Sequence, residues 1–332
     1  MDAETAWIDA HVARTCQLTS EVTQLDLAPE GGCRGYPPGS HLRVEVQLPD
    51  GPQTRSYSLI GTSKTGVGYR IAVRRQRQGR GGSNYMRALE QGAPVKISHP
   101  QNFFDLALDA PEYLFIAGGI GITPIISMVE TVAGRGTPYR LLYLASTWEG
   151  MPFLTELREV CEGNLTTYCL EVGQKADLDQ EIAHLGPGTQ AYVCGPVALM
   201  DGVREIWSAQ NRPAVDLRFE TFGSGGSRLA QPFKVHLADR QTTLSVGASQ
   251  TILEAIRTAG IPALSDCLRG ECGVCTLRVL SVEGKLDHGD IFLSPQQKSN
   301  LEAMCICISR AISEVPGTEA LVTLDTGYRP QG

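Results

Sequence analysis

The chain has 332 residues, 42% apolar and 20% charged, which suits a soluble globular protein of two or three domains and excludes a single small core. A net charge of −7 without any long basic tract argues against general nucleic-acid binding. Ten cysteines, five of them between 267 and 307, point to metal ligation in a reducing cytoplasm rather than to a secreted disulfide scaffold. The start, Met1-Asp2-Ala3-Glu4, lacks the basic and apolar regions of a signal peptide, so export by that route is not expected.

From residue 7 to about 100, short alternating segments such as Leu42–Leu48 and Tyr69–Val73 lie between turn residues and predict an antiparallel β-barrel. A helix over 83–90 interrupts it. Arg55 and Tyr57 fall on the same side of a strand, a cation and an aromatic face that together suit a flat, electron-rich ring. Arg74, Arg75, Arg77 and Arg80 precede Gly81-Gly82-Ser83, where N–H groups, a hydroxyl and a guanidinium could hold a phosphate monoester. Most arginines in such a run are simply solvated.

From 112 to about 220 the texture changes, with strands predicted at 113–117, 140–145, 165–171, 190–194 and 215–220 between helical stretches. That alternation implies a parallel sheet with helices on its faces. Tyr113–Val129 carries no charge, but its glycines and Pro124 divide it into strand, turn and helix, so no membrane span is expected. In Gly118-Gly119-Ile120-Gly121-Ile122-Thr123-Pro124, Thr123 is expected as N-cap and Pro124 at the first helical position. The glycines would let a pyrophosphate or ribose approach the backbone, although Pro124 stands where a Rossmann fingerprint has its third glycine. A tight turn with no ligand is the competing reading. Cys194-Gly195-Pro196 follows a second strand, so both glycine turns should share the carboxyl edge where open parallel sheets bind ligands. Cys194 is either a neighbour of a nicotinamide or an inert buried thiol.

The Gly- and Ser-rich stretch 223–232 reads as a linker. Beyond it come a strand at Phe233–Leu237, a capped amphipathic helix over 249–259, and the run Cys267-Leu-Arg-Gly-Glu-Cys272-Gly-Val-Cys275. This C-x4-C-x2-C spacing matches the plant-type ligand loop of a [2Fe–2S] ferredoxin, with Cys305 and Cys307 both available as the fourth ligand. A zinc ribbon would more commonly pair C-x2-C with another C-x2-C.

Arg55-Ser-Tyr-Ser58, Gly81-Gly-Ser83, Gly118–Pro124, Cys194-Gly-Pro196 and the cysteine loop, in this order, resemble the phthalate dioxygenase reductase and vanillate demethylase reductase family over about residues 8 to 327. The resemblance implies an FMN-binding antiparallel β-barrel (1–108), an NAD-binding α/β parallel-sheet domain (109–223), a linker (224–232) and a C-terminal α+β, β-grasp plant-type ferredoxin domain (233–332). Carried over by motif, Arg55, Tyr57 and Ser58 contact the flavin, Gly82 and Ser83 its phosphate, and Ile71, Ala72 and Val73 line its ring through their backbone. Gly119, Thr123 and Cys194 border the nicotinamide nucleotide. Phe222, in Phe219-Glu-Thr-Phe222, either approaches the flavin or belongs to the core.

Cys267, Cys272 and Cys275 are implied cluster ligands. The family's usual gap of 29 residues favours Cys305, whereas Cys307-Ile-Ser-Arg-Ala311 resembles its Cys-Val-Ser-Arg-Ala and favours Cys307. A two-residue lengthening within 281–286 reconciles the counts, and Cys307 is the expected ligand. Two departures stand out: Val274 replaces a threonine, and Ser146-Thr-Trp-Glu149 stands where an arginine is common. The latter favours NADH and leaves NADPH open. The implied activity passes electrons from NADH through FMN and the cluster to a separate terminal oxygenase, a Rieske-type one, with no membrane or nucleic-acid partner. Direct reduction of a quinone or haloquinone is the alternative. A redox-sensing binding module is disfavoured by the nucleotide and flavin motifs.

Overall fold

Seven strands form the first sheet: β1 (Ile8–Thr19), β2 (Val22–Pro29), β3 (Ser40–Leu48), β4 (Gly51–Ser58), β5 (Tyr69–Arg74), β6 (Pro94–Ile97) and β7 (Gln101–Asn102). The computed structural model describes residues 7–49, 51–62, 68–76, 81–222, 231–248 and 250–327. Arg77, Arg80 and most of the linker stretch, 223–230, therefore lie outside the described residues. All pairings in this sheet are antiparallel, in the order β4-β3-β6-β1-β2-β5 with β7 on β3. The end strands β4 and β5 lie against each other, which rolls the sheet into a barrel. Alternate residues, among them Leu25, Leu27, Leu42, Val44, Val46, Ile71 and Val73, fill its interior. Helix α1 (Gly82–Arg87) plugs the barrel with Met86. It stops short of the predicted 90 because Leu89 N turns to the Met86 carbonyl, a three-residue closure that ends the helix.

The second sheet contains β8 (Tyr113–Gly118), β9 (Tyr139–Ala145), β10 (Leu165–Cys169), β11 (Gln190–Cys194) and β12 (Leu217–Glu220), all parallel in the order β10-β9-β8-β11-β12. Helices α2 (Ile122–Gly134), α3 (Leu154–Cys161), α4 (Leu178–Ala183) and α5 (Val197–Ala209) make the crossovers. Strand order reverses between β8 and β11, which puts the topological switch point at the two glycine turns. Every residue of β8 is buried, as a strand covered on both faces requires. The third strand is two residues shorter than expected, since Leu170–Val172 forms a 3-10 turn.

The expected cap at Thr123 is corrected. Gly121 is the N-cap of α2, entered through a 3-10 turn at Gly119–Gly121, with no side chain capping it. Thr123 is the second helical residue and its Oγ1 donates to the Ile120 carbonyl at 3.0 Å. Pro124 is the third rather than the first, still inside the turn whose N–H groups have no intrahelical acceptor.

Barrel and parallel sheet belong to one compact unit, in the main residues 3–76 and 82–220. Val22, Ile60 and Ala72 of the barrel share a core with Ile122, Ile125, Met128 and Val129 of α2. At the surface, Arg70 pairs with Glu156 through two contacts of 2.7 and 3.2 Å, and Ser20 donates to Glu149 from N and Oγ at 3.0 and 2.9 Å.

The second unit, in the main residues 221–332, holds β13 (Phe233–Leu237), β14 (Thr242–Val246), α6 (Ile252–Thr258), β15 (Thr276–Glu283), β16 (Lys285–Asp287), α7 (Pro295–Asn300), β17 (Ala303–Cys305), β18 (Arg310–Ile312) and β19 (Ala320–Asp325). The main sheet runs β14-β13-β19-β15-β17, with first and last strands parallel and adjacent, and β16 pairs β18 separately. This is a β-grasp sheet held around α6. The helix starts later than predicted because Thr251 and Glu254 form a reciprocal capping box. Segment 281–286, where lengthening was expected, is the end of β15, Gly284 at φ +111° and the start of β16.

Candidate functional site

On β4, Arg55 and Tyr57 face the same way, opposite Val44 and Leu42 of β3. Arg55 is held by donating to the Thr54 carbonyl at 2.8 Å and to Gln53 Oε1 at 2.6 Å. Its side chain lies across Gly82, where a Cβ would fall 2.8 Å from Arg55 Nε. Ser83, the next residue, accepts from Gln76 N at 3.1 Å. Arg55, Gly82 and Ser83 are thus gathered at one point of the barrel rim. Burial pushes the Tyr57 hydroxyl well above its usual range, opposed by Arg55, so it is a neutral aromatic surface. Ile71 and Val73 point into the barrel core, while Ala72 turns the other way into the core shared with α2.

Ser58 reaches a residue that sequence reasoning did not single out. Its Oγ donates at 3.4 Å to Glu220 Oε2, a carboxylate with no solvent exposure at the end of β12. Glu220 is the ladder neighbour of Cys194. The available signal was its place in Phe219-Glu-Thr-Phe222, at the carboxyl end of a strand of a parallel sheet.

The two glycine turns touch. Cys194 pairs with Ala117 in the ladder, and a Cβ on Gly121 would fall 2.2 Å from the Cys194 carbonyl oxygen. A Cβ on Gly118 would fall 2.6 Å from Pro196 Cδ. Gly119 takes φ +55°, with Arg74 Nη1 only 3.4 Å from where its Cβ would sit. The Cys194 thiol is fully buried in the core of this unit. In Ser146–Glu149, the segment that departs from the resembled family's arginine, Thr147 Oγ1 accepts from Gly150 N at 3.2 Å and shapes a turn at Trp148–Gly150.

In the second unit the cysteine loop is shaped around its first sulfur. Arg269 N and Glu271 N each donate to Cys267 Sγ at 3.4 Å. Gly270 and Gly273 take φ +75° and +73°; a Cβ on the latter would fall 2.3 Å from the Phe292 ring, and one on the former 2.8 Å from Asp290 Cα. Burial raises the Cys267 thiol, and the backbone N–H groups oppose it. Cys275 is held below its usual range by the thiols of Cys305 first and of Cys307 next, while those two are pushed up. Cys307 has Cys275 and Cys267 for thiol neighbours; Cys305 has Cys275 and, at 3.3 Å, Thr276 Oγ1. Thiols on a short loop and on the segment behind it, with N–H donors aimed at sulfur, fit an iron–sulfur cluster. Among the described residues, no group of three or more His, Cys, Asp or Glu side chains is gathered as for a single metal ion.

Ser309 and Arg310 support that second segment. Ser309 Oγ donates to Asp290 Oδ1 at 3.1 Å, and Asp290 Oδ2 accepts from Leu293 N at 2.9 Å. Arg310 donates to the carbonyls of Gly247, Gln231 and Gln250 and lies over the Phe233 ring.

Residues 235–311 match the 2Fe-2S iron-sulfur cluster binding domain. The chain is 35% identical over 313 residues to a phthalate 4,5-dioxygenase oxygenase reductase subunit of Pseudomonas putida, covering 92% of this chain and 94% of that protein. It belongs to the phthalate dioxygenase reductase family. A solved phthalate dioxygenase reductase, described as a modular structure for electron transfer from pyridine nucleotides to [2Fe–2S], superposes with a TM-score of 0.76 at 30% identity, covering 96% and 98% of the two chains. The chain is also 33% identical over 313 residues to a tetrachlorobenzoquinone reductase of Sphingobium chlorophenolicum, covering 91% of this chain and 94% of that protein. The flavin barrel, nucleotide-binding parallel sheet and C-terminal ferredoxin expected from the sequence are the architecture of this chain. Among the described residues, no helix is long and apolar enough to cross a membrane.

Proposed function

We propose that this chain is the reductase component of a multicomponent oxygenase, carrying electrons from NADH through FMN and a [2Fe–2S] cluster to a terminal oxygenase of Rieske type in the cytoplasm. The observation that carries it is the union in one chain of a barrel rim and glycine edge that meet at Ser58 and Glu220 with a cluster-binding domain. Hydride arrives two electrons at a time and a cluster accepts one, and a bound flavin supplies that conversion.

The chain's own residues bind and orient. Arg55, Gly82 and Ser83 would hold the FMN phosphate, Tyr57 and Ser58 its ring, and the backbone of Ile71, Ala72 and Val73 its edge; Phe222 is assigned beside it. Gly119, Thr123 and Cys194 would border the nucleotide, and Glu220 would fix Ser58 at the point where the two cofactors meet. The turn at 146–149 offers no cation for a 2′-phosphate, which favours NADH over NADPH. Cys267, Cys272, Cys275 and Cys307 would hold the irons, Cys307 because it neighbours both Cys267 and Cys275. Domain limits of 1–108, 109–223 and 233–332, with 224–232 as linker, fit this division of labour.

The relative that reduces a quinone supports a second reading, direct reduction of a quinone or haloquinone. Purified protein is offered NADH with candidate oxygenase components and, separately, with quinones. Reduction of an oxygenase component supports the first reading; rapid quinone turnover with none of the components reduced overturns it in favour of the second.

A further inference from the structure

The turn 289–293 is packed onto the cysteine loop at the loop's two glycines. Ile291 N and Phe292 N both donate to the Gly270 carbonyl at 3.1 Å. A Cβ on Gly270 would meet Asp290 Cα and Ile308 Cγ2, each at 2.8 Å, so the loop, the turn and the segment after Cys307 converge at that residue. At Gly273 it is the Phe292 ring that leaves no room.

Asp290 sits where the three segments meet. Its carboxylate is fully buried and needs donors on both oxygens. The two oxygens go to different segments. Oδ2 accepts from Leu293 N at 2.9 Å and closes the turn that carries Ile291 and Phe292. Oδ1 accepts from Ser309 Oγ at 3.1 Å, and His288 Nδ1 lies 3.4 Å from the same oxygen. Ser309, also fully buried, accepts in turn from Gly289 N at 3.3 Å, and its own N–H donates to the Cys305 carbonyl at 3.0 Å. Lys298 Nζ adds a further tie, to the Asp290 carbonyl at 2.6 Å.

We propose that Asp290, with Ser309, is a positioning residue for the iron–sulfur centre, tying the loop of Cys267, Cys272 and Cys275 to the segment that carries the fourth thiol. The role rests on the cluster-binding reading of this domain. It holds whether the fourth thiolate is Cys305 or Cys307, because both precede Ser309 on the same segment. A cluster held by thiolates from two segments is released when the segments part, and hydrogen bonds to a buried carboxylate are of the strong, charge-assisted kind that keep them together. Asp290 acts on the thiols through the backbone it fixes, and no bond forms or breaks.

The test uses the holoprotein and its Asp290→Ala, Asp290→Asn and Ser309→Ala variants. Loss of visible absorption to an iron chelator and the electron paramagnetic resonance spectrum of the reduced protein are measured for each, with circular dichroism and FMN content as controls on the fold. Outer partners that orient metal ligands typically change affinity by about 10-fold or more, so Asp290→Ala and Ser309→Ala should release iron roughly 10-fold faster or more, with shifted g values. Asp290→Asn, whose amide oxygen still accepts from Leu293 N and whose amide N–H can donate to Ser309 Oγ, should release it more slowly than Asp290→Ala. A wild-type release rate and spectrum in Asp290→Ala overturns the brace alone, as does release from Asp290→Asn as fast as from Asp290→Ala. A wild-type chain that takes up no iron would overturn the cluster reading and the brace with it. Should Asp290→Ala not fold, Ser309→Ala decides, an unchanged rate and spectrum refuting the tie.

Discussion

Cys305 and Cys307 lie two positions apart and meet different neighbours, Thr276 and Cys275 for the first, Cys275 and Cys267 for the second. Cys307→Ser is therefore expected to lose iron and visible absorption, while Cys305→Ser keeps both; iron analysis of the two purified variants checks this, and the reverse pattern would refute it. Arg55→Ala removes a charged donor from the rim at Gly82, and charged hydrogen bonds contribute about 1.5–3 kcal/mol. FMN affinity should fall by roughly 10-fold or more, measured by flavin titration of the stripped protein. At this scale motifs were the legible part. Arg55, Gly82 and the cysteine loop announce themselves because their spacing is local. Glu220 did not, because its partner Ser58 is 162 positions away and only folding joins them. Thr123 resembled a cap by residue type, but its hydroxyl is satisfied one turn back by the Ile120 carbonyl.

Among the elements, the turn after β8 is closely packed. Gly121→Ala would place a methyl against the Cys194 carbonyl, and overpacking of this kind costs about 1–3 kcal/mol. A lowered unfolding midpoint together with weakened NADH binding is expected, from calorimetry and a fluorescence titration; wild-type values for both would show that the turns separate easily. In the ferredoxin domain, burial alone would raise Asp290, but hydrogen bonds from His288 and Leu293 N–H, with Lys298 nearby, hold it below its usual 3.8. A carboxyl depressed on folding contributes stability that is present above 3.8 and lost as pH falls through the folded value. Urea midpoints by circular dichroism should therefore fall below that pH in wild type, and more gently in Asp290→Asn. Strands of the parallel sheet were legible to within about two residues, since burial on both faces leaves long apolar runs. Helix ends were less so: α1 and α6 are trimmed by a tight turn and a capping box, whose geometry composition does not carry.

Over the whole molecule, the division into barrel, parallel sheet and ferredoxin was readable from changes in texture. The joining of the first two into one packed unit was not. Val22, Ile60 and Ala72 look like ordinary barrel residues, and only the fold reveals that they complete a core with α2. That shared core and the Arg70–Glu156 pair fix the rim around Arg55 relative to the glycine edge, as hydride transfer between bound cofactors demands. Cluster and flavin are carriers in series, and the cluster is the exit. The most direct test compares wild type with cluster-free Cys307→Ser, both loaded with FMN, for NADH-driven reduction of an oxygenase component and of a small artificial acceptor. Cys307→Ser should retain reduction of the small acceptor and lose reduction of the oxygenase; oxygenase reduction at the wild-type rate without a cluster would contradict the cluster as the exit.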